Sequence, residues 1–429
     1  MVLSRLRLLL IAPVLSVLFV GTGLGADSPE TENARLFEEI ERRACDYFWF
    51  EANPSTGLVK DRAGNTRGDD FPVASIAATG FGLAALAVSV ERGWLPREAA
   101  RARAELTLAF AHDTLAAEHG WFFHFMDWKS GARAWESEVS SIDTALFIAG
   151  ALVAGEYFGG RAKEIAASLY RRVNFHWMLT DGGARPDELL LSHGWKPGRG
   201  FLKPRWDTYS EHLVLGLLAL GAPGTPIPDQ AWDAWKRNLA DASGGRTFTT
   251  GPLFVHQYSH AFVDFRGRRD RLGFNYWETA VAATRANRDF CIAQAAQFKT
   301  YGRNSWGLSA TDGPDGYRAY SAPPGETLHD GTVAPWAVVA AMPFIDEAAD
   351  AVVEWRKSQP RLWGRYGFSS GFNLDRDWFS TEVIGIDLGA AALLLENQRS
   401  GLVWRLFMQI PEIQAALRKA GFSAVKESR

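Results

Sequence analysis

The chain has 429 residues, with 46 Lys and Arg against 49 Asp and Glu and a formal charge of −3. So even a balance leaves no basic face for nucleic acid and suits a neutral partner. Its length allows one large domain or two average ones, and two cysteines rule out a disulfide framework. The distinctive count is 17 Trp, several of them in loops, where an exposed indole face suits the apolar face of a sugar ring.

The N-terminus reads as an export signal. Arg5 and Arg7 precede an apolar stretch at residues 8–20, and the small residues around Gly25 and Ala26 suit cleavage. Residues 1–26 are therefore expected to be removed, leaving residues 27–429 as a single domain in the periplasm or outside the cell. No later apolar run of about eighteen residues stands out, so no membrane association is expected after removal of the signal. The Pro-rich residues 223–228 read as an interhelix turn rather than a linker.

Helical periodicity recurs along the chain, and strand alternation is nearly absent, which predicts an all-α protein. The expected helices are 33–51, 73–92, 97–117, 138–158, 161–178, 209–220, 229–239, 274–299, 332–342, 344–357, 381–399 and 402–420. Helix pairs in this number close either as a toroid around a central pit or as an open solenoid. No repeat of fixed period is visible, which favours the toroid. Long aromatic and polar loops at 118–137, 179–208, 243–258, 300–330 and 358–380 alternate with short plain ones, so a site is expected where the long loops converge at one rim. Cys45 and Cys291 both fall in helical apolar patterns; two buried free thiols are expected ahead of a disulfide.

Within that frame the acids sort by neighbourhood. Glu211 follows Trp206 and Tyr209 and precedes His212 at a loop-to-helix junction. Apolar burial would raise its carboxyl toward the range of a general acid. The spacing Thr208-x-x-Glu211 equally fits a capping box with no chemical role. Glu136, Glu138 and Asp143 form a polar lip before an apolar helix, and Ser140-x-x-Asp143 again has cap spacing. Asp387 lies inside the apolar stretch 381–395, where a carboxylate needs a polar cavity or an arginine partner; Gly385 and Gly389 would let that helix approach another closely. His256 and His260, four apart, have metal-like spacing but no evident third ligand, and contacts to hydroxyl groups fit them better. Asp312 and Trp306 lie in a loop of turn formers. No phosphate-binding loop, dinucleotide fingerprint or nucleophile elbow is present. Paired carboxylates beside stacked rings remain, and cleavage of a glycosidic bond uses that combination.

The blocks Ser140-Ser-Ile-Asp-Thr-Ala-Leu146, Tyr209-Ser-Glu-His212, His256-Gln-Tyr-Ser-His260, Asn304-Ser-Trp-Gly-Leu308 with Asp312-Gly-Pro-Asp-Gly-Tyr317, His329-Asp-Gly-Thr-Val-Ala-Pro335, Gly385-Ile-Asp387 and Ser400-Gly-Leu-Val-Trp404 run in order over nearly the whole mature chain. Together they resemble the glycoamylase-like family, in the branch that includes the endo-β-1,2-glucanases of glycoside hydrolase family 144, and they are similar to the cyclising domain of cyclic β-1,2-glucan synthases. The resemblance implies an (α/α)6 toroid and a glycoside hydrolase acting on β-1,2-glucan or its oligosaccharides, with no metal or cofactor. It implies Glu211 as general acid, with the second catalytic group sought at Glu138 or Asp143. Asp387 is expected to support them, with inversion ahead of retention. Trp135, Trp195, Trp206 and Trp306 are the expected stacking platforms, with Tyr209, Asp312, His256 and His260 also contacting a β-glucan. A monomer is expected. Two other readings stay open, a retaining transglycosylase on the same polymer and a non-catalytic glycan-binding protein.

Overall fold

The computed structural model describes residues 29–249 and 251–424; the expected signal peptide, residues 1–26, lies outside them. The described residues are 46% helical with few strands. Four helices are apolar on nearly every side and buried, as such helices must be. They are α2 (Ile76–Glu91), α4 (Ser141–Phe158), α7 (Leu213–Gly221) and α12 (Gly385–Arg399), counted among the helices in chain order. Partly polar helices back them: α1 (Pro29–Phe50) lies against α2 and α12, α3 (Arg97–Asp113) and α5 (Gly160–Arg172) against each other and α4, and α14 (Pro411–Lys419) against α7. By length and composition α4 could cross a membrane, but it is a core helix here, 83% buried.

The inner helices meet through residues without side chains. A Cβ on Gly150 of α4 would stand 1.8 Å from the carbonyl oxygen of Gly80 in α2, and one on Gly389 of α12 would stand 2.4 Å from Phe81. The spacing of Gly385 and Gly389 thus does what the sequence suggested, and α2 is gripped on both sides.

Expected and observed helices differ where the backbone finds other partners. The segment 381–384 is not helical, because Glu382–Ile384 pairs antiparallel with Arg62–Gly64. The expected helix 229–239 contracts to α8 (Ala231–Ala234), since Lys236 instead bonds the backbone of Asp207 and Tyr209. The stretch 402–420 splits into α13 (Leu402–Met408) and α14 at Pro411, and 161–178 splits at Asn174, whose side chain caps α6 (Phe175–Leu179). The long loops are not strandless. Val73–Ser75 pairs with Phe125–Asp127, Val139–Ser140 with Trp195 and Gly194, and Ala310–Gly313 with Gly316–Ala319. Runs of two to four residues are too short to show alternation. Cys45 and Cys291 are buried free thiols.

These small pairings position the site. Each inner helix begins just after or within a segment that bears carboxylates: Asp61 ahead of α2, Glu138 and Asp143 at α4, Glu211 at α7, and Glu382 and Asp387 at α12. Strand pairing ties the N-terminal lips of α2 and α12 together, and Val59 and Asp61 bond the strand leading into α2.

Candidate active site

Glu211 stands two residues before Leu213, the first residue of α7, and that helix has no side-chain cap of its own. Ser259, reaching in from a separate loop, performs the capping: its hydroxyl accepts from Val214 N–H at 3.0 Å and donates to the Glu211 carbonyl at 2.5 Å. No hydrogen bond joins Thr208 to the Glu211 side chain among those recorded, so Glu211 is not the capping group its spacing allowed. Its carboxylate accepts from Ser210 Oγ. Part of its surface remains open to solvent although it lies deep in the protein. Burial raises its proton affinity above the usual glutamate value, and the charge of Asp143 raises it further.

Asp143 does both things its spacing suggested. Ser140 accepts from its backbone N–H at 3.3 Å and donates its hydroxyl to one carboxylate oxygen. The other oxygen lies 3.5 Å from His124 Nε2. The opposite ring nitrogen, His124 Nδ1, is 3.1 Å from Glu138 Oε1, and Lys196 Nζ stands 3.8 Å from Glu138 Oε2. The hydrogen bond from His124 is the main reason that Glu138 is driven down to about 2.

Asp387 occupies the third position of α12. Burial is the main cause that pushes its carboxyl up to about 7, against the hydrogen bond it accepts from Tyr258 Oη at 3.0 Å; the charges of Asp312 and Asp61 add to the rise and Arg62 opposes it. The arginine partner anticipated for Asp387 goes elsewhere: Arg62 pairs with Asp61 at 3.3 Å, Asp312 at 3.1 Å and Glu382 at 3.4 Å. Asp312 also accepts from Ser370 Oγ at 2.9 Å. Tyr317, on the hairpin that carries Asp312, is 50% exposed, yet its phenol is held protonated by its surroundings and by the charges of Asp387, Asp61 and Asp312. Asp61, Glu138, Asp143, Glu211, Asp312 and Asp387 thus form one electrostatically linked group, with Arg62 and His124 as its cations.

The expected platforms divide. Trp135 is 61% exposed and stands at the lip, its ring 5.0 Å from Phe125 and 6.0 Å from Phe71. It and Glu136 both adopt left-handed backbone, φ 53° and 48°, which costs non-glycine residues about 1 kcal/mol or more each. Trp195 is half-buried beside Trp177. Trp206 and Trp306 are corrections. Trp206 is buried between His193 and His212, its indole N–H donating to Ser141, and Trp306 has no exposed surface. Neither presents a face to a sugar. His256 and His260 are corrected likewise: they lie in two separate 3-10 segments, not on one helical face, and both are buried. Burial pushes His260 down to about 3, and its Nε2 faces the Tyr276 carbonyl. Tyr209 is buried beneath Glu211 and stacked on Phe248 at 3.8 Å. It lines a cavity together with Ser210 and Trp206. No group of three or more His, Cys, Asp and Glu side chains among the described residues could hold a metal ion.

Asp61, Arg62, His124, Tyr258 and Tyr317 were not singled out from the sequence. Tyr258 and Tyr317 sit inside the quoted blocks, overshadowed by the histidines and the aspartates there. His124 had only the hint of an imidazole in an aromatic loop. Asp61 and Arg62 carried no local signal, because they join the site through strand pairing with residues more than 300 positions away. Cavity size is no guide: a 590 Å3 cavity borders Tyr209 and Ser210, and a larger one of 650 Å3 is lined by Arg237, Arg246 and Arg269, away from these acids.

The chain is similar to several known proteins. The family described as "Glycoamylase: Putative glucoamylase" matches residues 203–411, a span that includes Glu211, Asp312 and Asp387 but not Glu138 or Asp143. An exo β-1,2-glucooligosaccharide sophorohydrolase (non-reducing end) from Parabacteroides distasonis is 25% identical over 426 residues, covering 90% of this chain. The chain spans only 57% of that relative's length. Among solved structures, an endo-β-1,2-glucanase from Chitinophaga pinensis, in complex with sophorotriose and glucose, superposes with a TM-score of 0.82 at 29% identity, covering 93% of this chain and 99% of its own. A β-1,2-glucanase from P. distasonis gives 0.83 at 25% identity, covering 91% of this chain and 60% of its own. The resemblance carried by the sequence blocks is matched here: residues 203–411 fit the glycoamylase family model, and endo-β-1,2-glucanases are among the proteins to which the chain is similar.

Proposed function

We propose that the protein is a glycoside hydrolase that cleaves β-1,2-glucan or its oligosaccharides by carboxylate acid and base catalysis with inversion. The observation that carries this is the divergence of carboxyl environments within one electrostatically linked group: Glu211 raised, Asp387 raised to about 7 and Glu138 lowered to about 2. The two raised carboxyls are the ones suited to proton transfer, and the lowered one stays ionised as a fixed charge. Glu211, retaining its proton, donates it to the leaving glycosidic oxygen. Glu138, held by His124 and Lys196, is too weak a base to activate water, and Asp143 is occupied by Ser140 and His124. Asp387 suits the task better, because its proton affinity matches neutral pH and Tyr258 is its one recorded hydrogen-bond partner. The base is thus assigned to Asp387, while Glu138 and Asp143 supply fixed negative charge to an oxocarbenium-like transition state. Trp135 and Tyr317 offer exposed rings for stacking.

The inner and outer helices are read as the (α/α)6 toroid that the resemblance implies, with the carboxylates at the rim of its pit. Residues 27–429 would form a single exported domain acting as a monomer in the periplasm or outside. The test is release of new reducing ends from linear β-1,2-, β-1,3- and β-1,4-glucans. Release from the β-1,2 polymer alone supports the proposal, and release from another linkage alone overturns the substrate.

A further inference from the structure

His124 is fixed before any ligand arrives. Its backbone N–H donates to the Glu138 carbonyl at 2.9 Å, and its own carbonyl accepts from Ile76 N–H, at the start of α2, at 3.1 Å. Its ring stacks on Phe125 with centroids 3.7 Å apart and planes within 17°, and Phe125 in turn meets Trp135. An imidazole held so firmly cannot choose its partners. Nδ1 faces a Glu138 oxygen and Nε2 faces an Asp143 oxygen. Ionised carboxylates only accept, so a ring that serves both contacts, the hydrogen bond at Nδ1 and the 3.5 Å ion pair at Nε2, carries hydrogen on both nitrogens as an imidazolium.

We propose that His124 is a positioning residue, an imidazolium clamp that bridges Glu138 and Asp143 and holds the two carboxylates aligned, with Asp143 within electrostatic reach of Glu211.

The charges around the ring support it from every side. Asp61, ahead of the strand beginning at Arg62, faces it together with Glu138 and Asp143. Lys196 stands behind Glu138, Arg62 behind Asp61, and Glu211 beyond Asp143. Burial alone, the largest influence, would strip the proton from His124, but the three acids outweigh it and its proton affinity is raised. Without the cation, Glu138 would lose the hydrogen bond that lowers its proton affinity, and Asp143 would lose its ion pair. The negative charge assigned to stabilise the transition state would then weaken.

The kinetic arm of the test rests on the hydrolytic function proposed above, and the spectroscopic arm does not. Histidine-labelled protein is titrated by long-range 1H–15N NMR, with the His124 signals assigned by their loss in His124→Asn or His124→Gln. The expected result is a doubly protonated ring at pH 7 that titrates only at higher pH; a neutral ring at pH 7 overturns the clamp. In kinetics, an Asn amide can replace only the contact to Glu138 and a Gln amide only that to Asp143. Each variant is expected to lose about tenfold to a hundredfold in kcat, the scale of a misplaced site group, with KM nearly unchanged. A purely structural role would lower the amount of folded enzyme without lowering kcat per folded molecule, and that result also overturns the clamp. If wild type cleaves no β-1,2-glucan while His124 is doubly protonated at pH 7, the substrate proposal falls and the clamp stands. If neither variant folds, the His124 signals are assigned in wild type by their NOEs to the Phe125 ring, whose centroid lies 3.7 Å away, and that titration decides.

Discussion

Replacing Tyr258 by Phe tests the assignment of the base at a single atom. Tyr258 is buried, and its ring packs 5.9 Å from Phe81 and 5.2 Å from Phe254, contacts that Phe would keep. Only the hydroxyl, 3.0 Å from Asp387 Oδ1, is lost. That hydrogen bond favours the ionised carboxylate, so its removal raises the proton affinity of Asp387 from a starting point already near 7. A hydrogen bond to a charged group contributes about 1.5–3 kcal/mol, and 1.36 kcal/mol moves a pKa by one. The acid limb of kcat/KM should therefore move up by about one to two pH units. At pH 6 the variant should be slower than wild type by about tenfold or more, with the gap closing as pH rises through 8 and Asp387 ionises in both. The assay is kcat/KM on β-1,2-glucooligosaccharide from pH 5 to 9. An acid limb that stays in place or moves down would remove Asp387 from the role of base.

Other outcomes follow from the same structure. Glu211→Gln should keep the fold and lose about 10²–10⁴ in kcat, the usual contribution of a general acid, as read by initial rates beside circular dichroism. Trp135→Ala should raise KM severalfold with no fall in Tm, because the ring is exposed; an unchanged KM would deny it a stacking role. Glu41→Gln tests stability. The Glu41 and Glu396 side chains are wholly buried, with Arg399 Nη2 2.6 Å from Glu41 and Arg92 2.6 Å from Glu396. Burial, more than the opposing Arg399, raises Glu41 from 4.5 to about 8, and the charge of Glu396 adds to it. A carboxyl raised on folding stabilises fully below its unfolded value, and that stability is lost as pH rises through the folded one. The loss between about pH 4.5 and 8 is capped at about 5 kcal/mol. Urea unfolding should show the Gln variant gaining on wild type above pH 8 and not at pH 5, and equal gains at both would contradict a raised proton affinity at Glu41.

Much of this fold was legible because helices announce themselves locally. The apolar stretches of α2, α4, α7 and α12, and the glycine pair of α12, carry their packing in their own sequence. The small strand pairings were not legible: Glu382–Ile384 is strand only because Arg62–Gly64 lies beside it. The same distinction divides the site. Glu211, Asp143 and Asp387 were found because each interrupts or borders an apolar helix. Trp306, Trp206, His256 and His260 were misplaced because a polar or aromatic residue in a long loop can face inward as readily as outward, and local sequence does not record which. His124 and Asp61 became visible only when the lips of α2, α4 and α12 were brought together.

The most direct test of the account is chromatography of linear β-1,2-glucan incubated with the wild-type protein and, in parallel, with Glu211→Gln. The account predicts short β-1,2-linked oligosaccharides from wild type and almost none from the variant. Intact polymer from both, or equal products from both, would contradict it.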